Sequence, residues 1–361
     1  MFLKFLKLLN FRNFKEISFD FSDSLIVVEG RNGIGKTNLL ESIYLLCTGK
    51  SQRKSSRLEM IHFDAHNFFV EGEFAGNNSP LNVGIGYSRD KKISLLLNGI
   101  IQKSLFEWFG ARSIISFSSE DILLITGGPE NRRKFFDLFG SFYDIAYLRN
   151  LIGYRFYLQR RNVLLRSNNF DKIQCEVYDE KLAEFGSELV LLRFSLIDQL
   201  NRFFLTVYRE IADNSDQVKI EYDSVLDVRK YSKDTCKNVF YDKLAKVRKK
   251  DIDAGFSTFG PHREDLKIFL NEKNSRKFAS QGQCRTLSLS MKLSSSFSLE
   301  EQHNNRSIFI IDDTVSELDT YRLDSFISLV KNRGQVFIGT PLGRLSNKED
   351  CCRVDIPEYF H

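Results

Sequence analysis

Eight consecutive residues, Gly30-Arg31-Asn32-Gly33-Ile34-Gly35-Lys36-Thr37, carry the spacing G-x-x-x-x-G-K-[ST], a pattern that binds phosphate. Glycines at these positions let the backbone curl around an anion and turn its N–H groups inward. A helix leaving the loop adds positive potential at its N-terminus. In such a loop Lys36 would meet the β- and γ-phosphates of ATP, and the Thr37 hydroxyl would ligate Mg²⁺. The flanking segments suit the task. Leu25 to Glu29 is an apolar run that reads as a strand, and from Asn38 to Cys47 the residues Leu39, Leu40, Ile43, Tyr44 and Cys47 recur at helical spacing.

A phosphate loop of this kind works with an acidic residue on a nearby strand. Ser307 to Ile311 is apolar enough for a strand buried on both faces, and it ends in Asp312-Asp313. Ligands of such sheets sit at the C-terminal ends of the strands. Asp312 would hold Mg²⁺ through water, and Asp313 would orient or deprotonate the attacking water. Lys36 and Asp312 are 276 residues apart, so a long insertion must leave the nucleotide-binding sheet and return to it. Ser280-Gln281-Gly282-Gln283 is a third element. Serine at an N-cap with glutamine three residues on is a capping box, and the N–H groups of that helix end could hold a phosphate. Leu287, Leu289, Met291 and Leu293 alternate as in a strand but also pair at i,i+4, and the cap decides for a helix. Ser316-Glu317-Leu318-Asp319 forms a short polar turn beyond the acidic pair.

These residues need a scaffold. In the first third Phe2 to Phe11, Ile17 to Phe21, Phe68 to Phe74, Asn82 to Tyr87 and Ile93 to Leu97 read as strands, with hairpin breaks at Gly76-Asn77-Asn78 and Arg89-Asp90. From about Asn131 to Asn201 the chain is rich in Leu, Arg, Glu and Phe, and Leu182, Phe185, Leu189 and Leu192 follow a helical stripe. Strand-like runs return at Leu266 to Leu270, Ser307 to Ile311 and Gln335 to Ile338. The pattern predicts an α/β unit that is interrupted by a helical block and then resumes.

Composition excludes several classes. With 42% hydrophobic residues, 27% charged residues and 33 Phe in 361 residues, the chain is neither disordered nor a coiled-coil rod. Six scattered cysteines and five scattered histidines offer no disulfide framework and no zinc spacing. A reducing, cytoplasmic setting is expected. Lys4, Lys7, Arg12 and Lys15 break up the apolar N-terminus, so neither a secretory leader nor a membrane span is expected.

Together these residues resemble the ATP-binding-cassette (ABC) ATPases, in particular the SMC-like branch, and within it the RecF family of bacterial replication and recombinational-repair proteins. The resemblance runs over essentially the whole chain. Asn10-Phe11-Arg12-Asn13-Phe14 is similar to the family's opening strand and turn, which implies nucleotide contacts from Arg12 and Asn13. Gly30 to Asn38, followed by Leu39-Leu40-Glu41, resembles its phosphate loop and helix. Further matches are Glu120-Asp121 with Gly127-Gly128-Pro129-Glu130 and Arg132-Arg133, the pair Arg161-Asn162, and Gly260-Pro261-His262-Arg263. Ser280-Gln281-Gly282-Gln283 looks like the cassette signature. Asp312-Asp313 looks like Walker B, and Ser316 to Asp319 like the D-loop. Cys284, Ser119, Tyr178 and Glu264 depart from the usual Gln, Pro, Trp and Asp, which bears on the fine geometry of the signature helix and the helical lobe.

The resemblance implies an ABC-type P-loop ATPase head lobe, residues 1–125 and 251–361, with an inserted mainly α-helical second lobe, residues 126–250. It implies that two copies sandwich ATP and Mg²⁺, each phosphate loop facing the other copy's signature. The dimer would be a slowly hydrolysing clamp on gapped or junction DNA that works with RecO-type and RecR-type mediators to load a recombinase. A transporter's nucleotide-binding subunit is the alternative. Its signature reads LSGGQ and lies far nearer the phosphate loop than the 244 residues between Lys36 and Ser280. A long-armed SMC head would need a sustained heptad, which the inserted block lacks.

Charge is unevenly distributed. Residues 225–250 hold a net of +6 against +5 for the whole chain, and Lys246, Arg248 and Lys249 are the candidates there for DNA phosphates. Arg53, Lys54 and Arg57 form a second cluster, and Arg160, Arg161 and Arg166 a third. Such groups give salt-sensitive, sequence-independent binding, although a solvated helix face explains any single cluster more simply. Arg132, Arg133 and Arg161 are alternatively internal ion-pair partners. His262 is assigned no chemistry. Thr340, after the last strand run, is a candidate neighbour of the γ-phosphate.

Overall fold

The computed structural model describes residues 1–53, 55–75, 79–110, 112–212, 215–224, 226, 231–312, 320–341 and 352–356. The chain divides into two compact units. One comprises Met1–Asp121, Glu210–Ala212 and Leu299–His361, the other Ile122–Arg209 and Asp213–Ser298.

The first unit opens with β1 (Phe2–Phe11), β2 (Phe14–Asp20) and β3 (Leu25–Glu29), then α1 (Lys36–Thr48), β4 (Asn67–Ala75), β5 (Leu81–Ser88), β6 (Ile93–Leu97), β7 (Ile100–Ile101), a turn of helix α2 (Leu105–Trp108) and β8 (Ile114–Phe117). The strand readings of the first third agree with these elements to within a few residues. β1, β2, β4, β5, β6 and β7 form an antiparallel sheet in the order β2-β1-β4-β5-β6-β7. Along β4 the side chains of Phe68, Val70 and Phe74 turn inward while Glu71 and Glu73 face solvent, the period of a half-buried strand.

The second unit begins with α3 (Leu123–Thr126), α4 (Pro129–Tyr143), α5 (Ile145–Leu165) and α6 (Lys172–Ala212). It continues with β9 (Val218–Asp223), α7 (Lys233–Ala254), β10 (Asp265–Leu270), β11 (Lys273–Asn274), α8 (Ser275–Phe278) and α9 (Gln281–His303). Proline at the first position of α4 and the Asp144 side chain accepting from the Ala146 N–H at 2.7 Å start two of these helices. β9, β10 and β11 form a small antiparallel sheet. This pairing brings residues 251–298 into the helical unit, whereas the resemblance implied that they belong with the ATPase lobe. Arg132 on α4 reinforces it with a two-pronged bond to Asp265, at 2.7 and 2.8 Å, and Arg133 donates to the Glu264 carbonyl.

The core of this unit is partly ionic. Arg161 is fully buried and donates to Asp179 at 2.5 Å, to Asp251 at 2.7 Å and to the Ser257 hydroxyl at 2.8 Å. Arg193 reaches Asp137, the Tyr147 and Tyr222 hydroxyls and the Pro261 carbonyl. The internal ion-pair reading of Arg132 and Arg161 is thus the observed one. His262 is a hydrogen-bonding residue. Its Nδ1 accepts from the Tyr154 hydroxyl at 2.6 Å, its Nε2–H donates to the Ser257 carbonyl at 3.0 Å, and burial pushes its pKa down to about 4.

The chain then completes the first unit with β12 (Ser307–Asp312), α10 (Thr320–Lys331), β13 (Gly334–Thr340) and β14 (Cys352–Asp355). These strands and β3 and β8 form a parallel sheet in the order β14-β3-β13-β12-β8. β3 and β13 are buried throughout, and β12 up to Asp312. Their continuous apolar runs therefore belong to strands covered on both faces. α1 touches strands of both sheets, and Leu39, Leu40, Ile43, Leu46 and Cys47 on it are completely buried. A helix buried on most of its surface, with Glu41 and Ser42 buried among the apolar residues, is thereby accounted for. Among the described residues no helix is long and apolar enough to cross a membrane.

Candidate nucleotide site

The phosphate loop runs from the C-terminal end of β3 into α1. Gly35 precedes the first helical residue at φ 119°, and a Cβ there would lie 2.8 Å from both the Asn13 amide and the Phe14 ring. Only glycine satisfies the backbone and the space together. Asn13 is the loop's brace: its Nδ2–H donates to the Ile34 carbonyl at 3.0 Å, and its Oδ1 accepts from Asn38 at 2.7 Å. Arg31, Asn32 and Gly33 form the exposed tip. Lys36 is buried, and its ammonium donates to the Gly30 carbonyl at 2.7 Å and the Arg31 carbonyl at 2.9 Å, so the cation sits on the loop's own backbone.

The sheet order brings the acidic strand to this loop. β13 lies between β3 and β12, and all three point the same way, so the carboxylate of Asp312 and the start of α1 share one edge. The Thr37 hydroxyl donates to Asp312 Oδ1 at 3.3 Å, across 275 residues of chain. Gly339 on β13 stands opposite Asp312. A Cβ at Gly339 would lie 3.0 Å from Leu40 and 3.2 Å from Asp312 Oδ1. Thr340 ends the same strand, paired in register with Glu29. Its buried hydroxyl has no hydrogen-bond partner among the described residues. Asp313, Ser316 and Asp319 lie outside the described residues.

Arg12, expected at the nucleotide, makes several bonds to protein groups. Its Nε and Nη2 donate to the two oxygens of Glu41, each at 2.9 Å, and it also donates to Ser55 and to the Glu59 carbonyl. Glu41 is fully buried on α1 and accepts in addition from Ser51. Arg12 therefore anchors the helix that carries the loop. Glu41 has a structural role that spacing alone did not assign; an acidic residue within an apolar helix was the available signal.

Ser280 caps α9 as the spacing predicts. Its Oγ accepts from the Gln283 N–H at 3.2 Å, and Gln283 Oε1 accepts from the Ser280 N–H at 2.9 Å, so each satisfies one orphan donor of the helix end. Ser280 and Gln281 are exposed, and Gly282 and Gln283 half-buried.

The basic clusters differ in how their side chains are engaged. Arg248 is engaged by Asp179 at 2.8 Å and by Glu176 at 3.1 Å. Lys233 pairs with Glu188 and Lys237 with Glu180. Lys246 and Lys249 are exposed on α7. Arg53 donates to Asn38 Oδ1 at 3.2 Å and so stands beside the phosphate loop. Arg57 donates to the Gly49 carbonyl and lies over the Tyr87 ring. Lys54 lies outside the described residues.

Three comparisons bear on this geometry. The family description "AAA domain" matches residues 6–205. The DNA replication and repair protein RecF of Streptococcus agalactiae serotype V is 35% identical over 341 residues, 94% of this chain and 91% of that protein. Among solved structures, that of the recombination mediator protein RecF-ATPrS in the RecFOR pathway superposes with a TM-score of 0.89 at 32% identity, covering 99% of this chain and 96% of the other. The Smc head domain of Pyrococcus furiosus, at 15% identity and a TM-score of 0.55 over 99% of this chain and 94% of the other, shares the fold.

Proposed function

The chain belongs to the RecF family of DNA replication and repair proteins, and on that premise we propose that it is an ATP-binding switch whose nucleotide state controls the pairing of two copies on DNA. The observation that carries this reading is the approach of Thr37 to Asp312 at 3.3 Å. A hydroxyl and a carboxylate at a phosphate loop are hard oxygen donors that suit Mg²⁺. Thr37 and Asp312 would hold the cation, which when bound would neutralise phosphate charge. Residues 30–37 would wrap the phosphates, with Lys36 turning its N–H groups from the loop carbonyls toward them. Asn13 and Asn38 brace the loop, and Arg12 steadies α1 through Glu41. Asp313 would orient or deprotonate the attacking water.

The capped turn from Ser280 to Gln283 would meet the nucleotide of a second copy. Ser316 and Asp319 would lie at that junction. Hydrolysis is slow in this reading and resets the clamp. Gapped or junction DNA, RecO-type and RecR-type mediators and a recombinase to be loaded are the expected partners, and the cytoplasm the expected place of work. The relatives are repair proteins, so the transporter alternative is set aside.

Light scattering tests the switch. With ATP and Mg²⁺ the mass should rise from that of a 42.0 kDa monomer to that of a dimer, with gapped duplex favouring the dimer further. A mass that stays at that of a monomer with ATP and Mg²⁺, both without and with gapped duplex, sinks the proposal. Lys246→Glu with Lys249→Glu should weaken duplex binding and reduce the slope of log affinity against log salt by roughly 2. An unchanged salt titration would show that this end of α7 is only solvated surface.

A further inference from the structure

Helix α5 contains four arginines and no acidic residue. Its exposed positions trace a single face. Ile145, Ile152, Phe156 and Val163 are 47%, 45%, 47% and 64% exposed. At about 100° per residue these four fall within roughly 40° of arc, along about 27 Å of helix. The inward face of the same helix is already used, with Tyr147, Leu151, Tyr154 and Leu164 buried. By the same rotation Arg149 and Arg160 border the stripe on one side and Arg155 on the other, all three exposed. Arg160 lies over the Phe156 ring at 4.4 Å, and Arg155 keeps 52% of its side chain exposed while reaching Asp137.

We propose that this face of α5 docks an acidic amphipathic helix of a partner protein. Four apolar side chains in line match the i, i+3/i+4, i+7 anchors of a helix laid along them. Arginines on both flanks and the lack of any acid on the helix select a partner whose own flanks are acidic. A second copy of the chain fits badly, because two such faces would oppose arginine to arginine. A DNA backbone fits the arginines and leaves the aliphatic centre without a partner. A lipid surface takes a wider apolar face than this narrow stripe. The proposal is independent of the nucleotide site.

Fluorescence anisotropy tests it on the full chain. The probe is a labelled synthetic helix with leucines at three- and four-residue spacing on one face and glutamates elsewhere. A scramble of the same composition, a short DNA duplex and phosphatidylglycerol vesicles are run beside it. The amphipathic peptide should bind about tenfold or more tighter than its scramble, and Ile152→Glu and Phe156→Ser should each lose about tenfold. Arg149→Glu should also weaken binding, whereas Lys36→Ala should leave it unchanged. Equal binding of peptide and scramble overturns the proposal. So does peptide affinity that ignores these substitutions, or a result in which duplex or vesicle binding is what Ile152→Glu removes. If Ile152→Glu fails to fold, Val163→Ser at the most exposed of the four positions makes the same comparison.

Discussion

Lys36→Ala is expected to abolish measurable ATP binding, a loss of about a hundredfold or more in affinity, read by calorimetric titration. Two effects add. The ammonium is the only side-chain cation within the phosphate-loop motif besides Arg31 at its exposed tip, and charge-assisted hydrogen bonds contribute about 1.5–3 kcal/mol each. The same ammonium also ties the Gly30 and Arg31 carbonyls together at 2.7 and 2.9 Å. Its removal frees the loop as well as discharging it. ATP-driven pairing should disappear with binding. A variant that still binds ATP with parental affinity would show that residues 30–37 are not the phosphate site.

Arg161→Ala should be the most damaging single change to the helical unit. It removes the counter-charge that Asp251 receives and one of two that Asp179 receives, since Arg248 remains on Asp179. Asp179, Asp251 and Arg161 are all fully buried. Breaking a buried pair in this way costs about 3–5 kcal/mol, because the remaining charge stays desolvated and unpaired. For a unit of this size each kcal/mol corresponds to roughly 2–4 °C, so a fall of about 10 °C is expected by scanning calorimetry. Arg161→Lys should recover only part of it, since an ammonium lacks the planar fork that spans two carboxylates. A melt within a degree of the parent would mean that this hub does not hold the unit together.

What could be read from the chain depended on the distance over which each signal acts. The phosphate loop, the capping box at Ser280 and Gln283, and the buried run into Asp312 are contiguous patterns, and each carries its own physical reason. Arg248 shows the opposite case. Its neighbours along α7 are lysines, so it counted toward a basic patch. Its partners Asp179 and Glu176 lie about seventy residues away in sequence, where a local tally of charge does not reach. The placement of residues 251–298 failed to show for the same reason, because β10 joins the helical unit by pairing with β9 and through Arg132 of α4, both distant in sequence. Arg12 was recognised as part of a motif, but its fork onto Glu41 depends on the packing of β1 against α1.

Gly339 gives the site a tolerance that can be stated in ångströms. It carries no side chain where β13 passes Asp312 and α1. Because an added methyl would press on Leu40 and on the Asp312 carboxylate at about 3 Å, the spacing between α1 and the end of β12 depends on a residue without a side chain. A side chain at this one position would act as a wedge between a helix from the first half of the chain and a strand from the second, leaving Thr37 and Asp312 themselves unchanged.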